Sequence, residues 1–557
     1  MTSQVEGLIF FNQDVSEISL PERFTYPFVY RTHPLCEIAA QEVQQRLQSE
    51  PIPHNFGLND FKEGTPLGKM FGVLIVKTAD ERLAYLAAFS GRLGKQNHYP
   101  GFVPPVFDTL NPGGFFLEAV PKLEALSLEI KTLENSQQYH TLKTALSNQK
   151  DLAEATIAES REYIKTQKKL RKLQRAAAKT ELSSEAYQYL EKTLSKESTQ
   201  QHYTHKDLVK HWKQEVQTAE DQLQPIEQKL QELKRARKSL SNATQDRIFE
   251  AYQFLNAKGE WRSLKAIFGQ FPPPSGAGEC AAPRLLQYAY LNQLTPIAMA
   301  EFWWGTPPLS AVRQHQQFYP ACRGKCEPIL SHMLQGLEVD PNPLLQNPGL
   351  NKKIEFLYED EDILLVKKPP ELLSVPGKNV RDSVLWRVQQ KYPELEGPII
   401  VHRLDMSTSG LMVLAKNKAA YLNLQSQFVK RKVHKRYTAK LEGIPKLESG
   451  TIDLPLRVDL DNRPRQLVCY GYGRQAVTKW RLVKVEGQQS WVHFFPITGR
   501  THQLRVHAAH HLGLGVSIIG DDLYGRAEDR LHLHAEELHF THPSTGQAME
   551  FVWEAEF

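Results

Sequence analysis

The chain has 557 residues, too many for one hydrophobic core, so we expect two or three domains. Its 68 Lys and Arg residues against 63 Asp and Glu residues give a net charge of +5, which is too small to establish a polyanionic partner. Five cysteines in no regular framework argue against a secreted disulfide scaffold, and no apolar run approaches ~18 residues, so a soluble, cytoplasmic protein is expected.

Residues 1–118 are expected to form a small α/β segment that contains a β-hairpin. The apolar runs 72–76 and 83–89 flank the polar break 78–81, a pattern typical of two strands joined by a turn. Turns rich in Pro, Asn and Gly follow before the segment ends.

Residues 119–251 differ in composition and predict long helices. They are rich in Leu, Ala, Glu, Lys and Gln, contain no Gly and include only two Pro residues. Apolar residues recur at helical spacing without a strict heptad, which favours a helical hairpin or an irregular coiled coil that reverses in the polar stretch 195–205. We expect an insertion into the N-terminal domain of a monomer, with self-association through these helices left open.

Both predicted helical arms carry basic clusters. Their members are Lys165, Lys168, Lys169, Arg171, Lys172 and Arg175 on one arm and Lys234, Arg235, Arg237 and Lys238 on the other. Such clusters are either the solvated face of a helix or a surface for nucleic-acid phosphates, and both interpretations stay open.

Residues 252–340 are expected to complete the N-terminal domain, and residues 341–351, rich in Pro and Asn, to form a linker. Cys280, Cys322 and Cys326 allow two interpretations. A Cys-x-x-x-Cys pair and a third cysteine can bind zinc if another donor such as His315 joins them, but three cysteines without a second pair also fit buried apolar side chains.

Residues 352–557 alternate short apolar stretches with turns, which predicts an α+β domain around a mainly antiparallel sheet with flanking helices. The predicted strands are 354–358, 363–366, 410–415, 437–441, 476–483 and 491–495, and the predicted helices are 383–391, 419–431 and 501–511.

Four motifs in this region contain the residues that can carry chemistry. They are Lys367–Gly377, His402–Asp405 with Thr408–Gly410, Lys435–Tyr437, and Pro496–His507 followed by Ile519–Asp521. Asp405 stands between a His-Arg pair and a Ser/Thr/Gly turn that opens the apolar run 411–414, which predicts a loop at the mouth of a buried strand. Asp405 is therefore the first candidate nucleophile.

Taken together and in this order, the four motifs resemble those of the RluA-type pseudouridine synthases, which act on ribosomal and transfer RNA. The resemblance spans about residues 352–557, with one departure, because Glu371 stands where the family usually has Gly. It implies the pseudouridine synthase fold, preceded here by an α/β domain that carries the long helical insertion. It also implies an enzyme that isomerises uridine to pseudouridine and needs no cofactor.

The resemblance also implies roles for individual residues. Asp405 would be the nucleophile, adding either to the uracil ring or to the sugar carbon, and both possibilities remain. Arg500 would keep Asp405 ionised, and Tyr437 would stack on uracil and assist proton transfer. The base must leave the RNA stack to reach Asp405, and Arg403 would fill the vacancy. The implied substrate-binding residues are His402, Arg403, Leu504, Lys435 and Arg436.

Two further interpretations compete with this assignment. Eight histidines between His502 and His542 suggest a metal site, but no cysteine and no His-Glu-x-x-His helix accompanies them, so no metal is expected. A non-catalytic RNA-binding or ribosome-assembly adaptor on a synthase fold is the alternative function. The segments 375–377 and 459–466 most resemble the family member that modifies both transfer RNA and large-subunit ribosomal RNA, so RNA of these classes is the expected partner.

Overall fold

The computed structural model describes residues 5–50, 52–58, 64–395, 397–460 and 462–557, so Asp461 of the segment 459–466 lies outside the described residues. The chain folds as two compact units. One comprises the residues up to Asp108 together with Phe249–Phe557, and the other comprises Thr109–Ile248. In the described part of the chain, no helix combines the length and the apolar character that crossing a bilayer requires.

The first 350 residues contain seven helices and five strands within the described ranges. In chain order they are α1 (Pro34–Ser49), β1 (Lys69–Lys77), β2 (Leu83–Phe89), α2 (Phe115–Glu134), α3 (Gln137–Glu181), α4 (Ser184–Ala251), β3 (Gln253–Leu255), β4 (Trp261–Ser263), α5 (Leu264–Phe268), α6 (Ala281–Leu291), β5 (Thr295–Trp304) and α7 (Arg323–Met333).

The remaining elements belong to the C-terminal domain. They are β6 (Glu355–Glu359), β7 (Ile363–Lys368), α8 (Val384–Lys391), β8 (Ser409–Ala415), α9 (Lys418–Val429), β9 (His434–Leu441), β10 (Ser449–Asp453), β11 (Leu456–Val458), β12 (Gln466–Val468), β13 (Val477–Glu486), β14 (Gln489–Pro496), α10 (Gln503–Ala509), β15 (Leu533–Thr541) and β16 (Ala548–Val552).

The N-terminal domain is organised around a three-stranded antiparallel sheet with the order β2-β1-β5. The hairpin of β1 and β2 is confirmed, and β5, which follows the long helices in sequence, pairs with β1. Buried residues of α1, such as Leu35 and Val43, pack against Phe71, Phe89 and Phe302 of the sheet. Segments before and after the helices therefore share one core.

The unit Thr109–Ile248 contains α2, α3 and most of α4. Lys150 pairs with Glu220 at 2.6 Å and Arg175 with Glu191 at 3.6 Å, so α3 and α4 run antiparallel. The predicted reversal at 195–205 is wrong, because this stretch lies inside α4 and the chain reverses at residues 182–183.

The C-terminal domain is organised around a nine-stranded mixed sheet with the order β10-β13-β14-β9-β15-β8-β7-β6, and β16 pairs with β15. Its described strand pairs are antiparallel except β8 with β15. That pair brings Gly410, five residues after Asp405, opposite Ala535. The loop that carries Asp405 therefore enters the middle of the sheet.

Residues 309–322, here named the bridging segment, run from the N-terminal sheet onto the C-terminal domain. The Ser310 carbonyl accepts a hydrogen bond from the Val468 N–H at 3.0 Å, and the Gln314 amide donates to the Ala509 carbonyl at 3.1 Å. Val312 is buried in the core of the C-terminal domain. The two domains are thus joined by more than the chain connection.

Candidate active site

Residues from all four motifs line one cavity of about 940 Å³ in the C-terminal domain. The lining includes His402, Arg403, Asp405, Lys435, Tyr437, Arg500 and Leu504. Asp405 is the only carboxylate among the described lining residues, whereas Arg403, Arg431, Lys435, Arg500 and Arg505 supply cationic groups. Such a wall suits a polyanionic substrate.

The loop that carries Asp405 is held by backbone hydrogen bonds on both sides of the carboxylate. The buried Ser374 hydroxyl donates to the Leu404 carbonyl at 2.7 Å and accepts from the Leu404 N–H at 3.1 Å. The Thr408 N–H donates to the Asp405 carbonyl at 3.1 Å, which closes a turn. The first motif therefore positions the second.

The side chain of Lys368 also holds the loop that carries Asp405. Its fully buried ammonium donates to the Met406 carbonyl at 2.8 Å and to the Pro369 carbonyl at 2.9 Å. Burial lowers the pKa of Lys368 to about 7, although the charges of Glu371 and Asp405 act in the opposite direction. Glu371 adopts a φ of 64°, so the turn keeps a left-handed conformation although Gly is absent.

His402 is tied to the neighbouring strand and helix. Its Nε2 accepts a hydrogen bond from the Val413 N–H at 3.1 Å, and its ring stacks on Phe428 with centroids 4.7 Å apart. Burial and the nearby charge of Lys435 lower the pKa of His402 to about 3, so the ring is neutral at physiological pH.

Tyr437 lies on β9, between β14 and β15, and faces the same cavity as Asp405. Burial first, and then the negative charge of Asp405, raise the pKa of Tyr437 above its ordinary value. Its hydroxyl therefore remains protonated at neutral pH.

The fourth motif forms the opposite wall. The buried Gln503 side chain accepts hydrogen bonds from the Thr498 hydroxyl at 2.8 Å and from the Arg500 N–H at 3.0 Å, which fixes the turn before α10. Leu504 on α10 is buried and lines the cavity. The exposed Arg500 guanidinium donates through Nε to the Gln475 carbonyl at 3.0 Å.

The structure does not pair Arg500 with Asp405. Over the described ranges, Asp405 has no ion pair within 4.0 Å, and the cations whose pKa values respond to its charge include Lys368 and Arg505. Arg505 is buried, and its Nε donates to Asp521 at 2.9 Å. Burial opposes the charge on Arg505, but Asp521, Asp522 and Asp405 hold its pKa well above the ordinary value.

Arg436 is the one predicted site residue that does not line the cavity. It lies on β9 beside Tyr437, and its guanidinium pairs with Glu536 at 3.2 Å and with Glu537. Successive strand residues point to opposite faces, so the sheet places Arg436 away from Asp405 when Tyr437 faces it. Arg431 instead lines the cavity, from the basic run after α9.

Sequence reasoning gave no role to Lys368 and Arg505. Lys368 ends β7 and Arg505 lies inside α10, so only the folded chain reveals their electrostatic interaction with Asp405. Of the two sets of three potential metal ligands among the described residues, neither lies in the cavity.

Comparison with known proteins identifies relatives of this domain. A family model described as RNA pseudouridylate synthase matches residues 362–510. Over 219 residues, 38% of this chain, the chain is 45% identical to the dual-specificity RNA pseudouridine synthase RluA of Escherichia coli K12, and it covers 97% of that protein. The RluA protein of Vibrio vulnificus is 46% identical over 210 residues, covering 36% of this chain and 82% of that protein.

A solved structure, that of human RNA pseudouridylate synthase domain containing 1, covers 38% of this chain and 87% of its own. It is 27% identical, with a TM-score of 0.33.

Proposed function

The chain belongs to the RNA pseudouridylate synthase family, and from this premise we propose that it isomerises uridine in ribosomal RNA, transfer RNA or both, with Asp405 as the nucleophile. One observation carries the assignment of Asp405. It is the single described carboxylate in a cavity lined with cations, and no described hydrogen bond engages its side chain. Its oxygens are therefore available to a substrate.

The reaction breaks the bond between C1′ of ribose and N1 of uracil, turns the base and joins C1′ to C5, and the proton that leaves C5 is balanced by one gained at N1. Asp405 would add either to C1′ or to the uracil ring, and either adduct would hold the fragments in place while the base turns. The carboxylate must be ionised to attack. Lys368 and Arg505, whose pKa values respond to the charge of Asp405, are the buried cations that interact with this carboxylate.

Tyr437 would lie against the uracil ring. Its hydroxyl is held protonated by burial and by the charge of Asp405, which suits a group that donates a hydrogen bond to the base. Leu504 would support the opposite side of the base as an apolar surface. His402, neutral and bonded to Val413, would position the loop of Asp405.

The cations at the cavity would hold the RNA. Arg403 is exposed two residues before Asp405, and its planar guanidinium can stack in the space that the flipped uridine leaves. The same cavity is lined by Lys435, Arg431 and Arg500, which would contact the phosphates of a bent RNA strand. Arg436 would support this face through its ion pairs with acidic residues of β15.

The test is conversion of uridine in transcribed ribosomal and transfer RNA, mapped chemically at each position. Asp405→Asn should lower the single-turnover rate at least about a thousand-fold, because the amide cannot act as the nucleophile. Asp453→Asn, on the edge strand β10, is the matched control and should retain the wild-type rate. Conversion by Asp405→Asn at the wild-type rate would overturn the assignment. RNA binding without conversion by the wild type would favour the adaptor.

We also propose that the helical unit contacts RNA. Lys168, Lys169 and Lys172 are exposed on α3 and, within the described ranges, take part in no ion pair. By contrast Arg171 is buried against α4, where it donates to Gln201. These free lysines are the ones available to phosphates.

Changing Lys168, Lys169 and Lys172 together to Gln should weaken RNA binding and flatten its salt dependence. The matched control changes three lysines that already pair with acids, Lys150, Lys165 and Lys234. The control removes the same charge, so equal effects of the two triple variants would refute a specific contact.

A further inference from the structure

Three thiols that take no part in the proposed reaction converge in the N-terminal domain. Cys280, Cys322 and Cys326, here named the thiol cluster, have Sγ atoms that all lie within 4.8 Å of one another. The Sγ atoms of Cys322 and Cys326 are 3.3 Å apart, longer than a disulfide bond of about 2.05 Å. Three sulfurs bound tetrahedrally to one zinc ion would be about 3.8 Å apart, given Zn–S bonds of about 2.3 Å.

Two helices begin at the thiol cluster. Cys280 directly precedes α6 and Cys322 directly precedes α7, and each helix has eleven residues. Two helix N-termini therefore lie at the thiol cluster, where their partial positive charge would favour the thiolates of a metal-bound site. Arg323 and Lys325 lie between Cys322 and Cys326 in the sequence. They add positive charge near a site that would carry three thiolates.

The surroundings also hold the ligands in place. Cys326 is buried, and the buried Glu301 carboxylate accepts a hydrogen bond from the Ala282 N–H, two residues after Cys280, at 3.3 Å. This hydrogen bond fixes the first turn of α6, which begins directly after Cys280. Cys280 and Cys322 are partly buried as residues.

We propose that Cys280, Cys322 and Cys326 bind one Zn²⁺ ion through three thiolates, with water as the fourth ligand. Binding releases the thiol protons to solvent and changes no oxidation state. The ion would link α6 to α7 at the point where the bridging segment ends. Arg323, the residue after Cys322, donates its N–H to Asn462 of the C-terminal domain at 3.2 Å. The site would thus stabilise the junction between the two domains.

Metal content of the full-length protein, purified under reducing conditions from zinc-supplemented cells, tests the site directly. Inductively coupled plasma mass spectrometry should find about one zinc ion per chain in the wild type. Cys322→Ser should lose most of it, whereas Cys469→Ser, which removes a cysteine outside the thiol cluster, should retain it. Wild-type protein without zinc, or equal zinc in the two variants, would overturn the proposal.

Cobalt substitution provides a second readout that does not depend on activity. Co²⁺ added to zinc-free wild type should give thiolate-to-cobalt charge-transfer absorption and the intense visible bands of tetrahedral coordination. Both should disappear in Cys280→Ser. A count of thiols in denaturant with chelator should find all five cysteines free. A count of three would show a disulfide between cluster members and would also overturn the proposal, even if a serine variant failed to fold.

Discussion

Gly410 is a position where one added methyl group should destabilise the C-terminal domain. It lies at the start of β8 with a φ of +132°, a conformation that side chains other than Gly rarely adopt. A Cβ atom added there would lie 2.4 Å from the carbonyl oxygen of Ala535 and 2.5 Å from its Cβ. Both atoms belong to the central strand β15, so neither can move far.

The cost of Gly410→Ala follows from these two features. The strained backbone contributes about 1 to 3 kcal/mol, and the forced separation of packed strands contributes about as much again. Against a domain stability of about 5 to 15 kcal/mol, the combined loss of about 2 to 6 kcal/mol is large and should lower the Tm by about 4 to 24 °C. Because Asp405 is five residues away, the pseudouridine-forming rate should fall even at temperatures where the variant is folded.

Thermal denaturation followed by circular dichroism measures the effect, and Gly397→Ala separates its two causes. Gly397 also has a positive φ, +90°, but an added Cβ would meet no atom within 4 Å. The control should therefore show only the backbone strain, about 1 to 3 kcal/mol. If Gly410→Ala were no less stable than Gly397→Ala, the contact with Ala535 could not be the constraint inferred from the structure.

Three further changes test other parts of the domain. Ser374→Ala removes the hydroxyl that bridges both backbone groups of Leu404 and should cost about 1 to 3 kcal/mol in urea unfolding, with kcat falling more than KM rises; an unchanged kcat would contradict this role. Asp521→Asn removes the buried carboxylate that pairs with Arg505 and leaves the exposed Asp522 as its remaining partner, so it should cost about 3 to 5 kcal/mol by the same assay; a loss below about 1 kcal/mol would show that the pair is dispensable. Burial lowers the pKa of His507 to about 4. Below about pH 6.5 the unfolded chain therefore binds a proton at this histidine that the folded chain does not bind. The free energy of unfolding should decrease by about 1.4 kcal/mol for each unit by which the pH is lowered between pH 6.5 and 4. His507→Gln should remove this contribution, and identical slopes for variant and wild type would exclude it.

The parts of the fold that sequence predicts well are those with local signals. The strands β7, β8 and β9 were expected from apolar runs, and the hairpin of β1 and β2 from the polar break between two such runs. The last strands, β15 and β16, were missed because their alternation includes charged and histidine residues that look like surface. In the structure Glu536 on β15 is buried and accepts a hydrogen bond from the hydroxyl of Thr438. A local sequence pattern cannot reveal this long-range contact.

The helical reversal shows how a polar stretch misleads. Residues 195–205 contain Ser, Thr and His, which favour turns in isolation. In α4 the hydroxyls of Thr199 and Thr204 donate to the carbonyls of Ser195 and Gln200, four residues earlier, so they are satisfied within the helix. The real reversal, at residues 182–183, contains neither Gly nor Pro and therefore gave no warning.

Prediction of the site shows the same division. The motifs predict that the candidate site residues meet around Asp405, and all of these predicted site residues except Arg436 line the cavity. Which cations interact with the carboxylate was not predictable, because Lys368 and Arg505 are separated from Asp405 by many residues and become its neighbours only through the order of strands.

The pairing of β1 with β5 has a consequence for synthesis on the ribosome. β1 is the central strand of its sheet, yet its second partner emerges roughly 200 residues later, about 10 to 40 seconds at ordinary rates of translation. During that interval one edge of β1 stays without its partner and can pair with another nascent chain. The intervening helices have mostly local contacts and can fold while the sheet waits. Slowing translation after β2 should therefore raise aggregation, whereas slowing it after β5 should not.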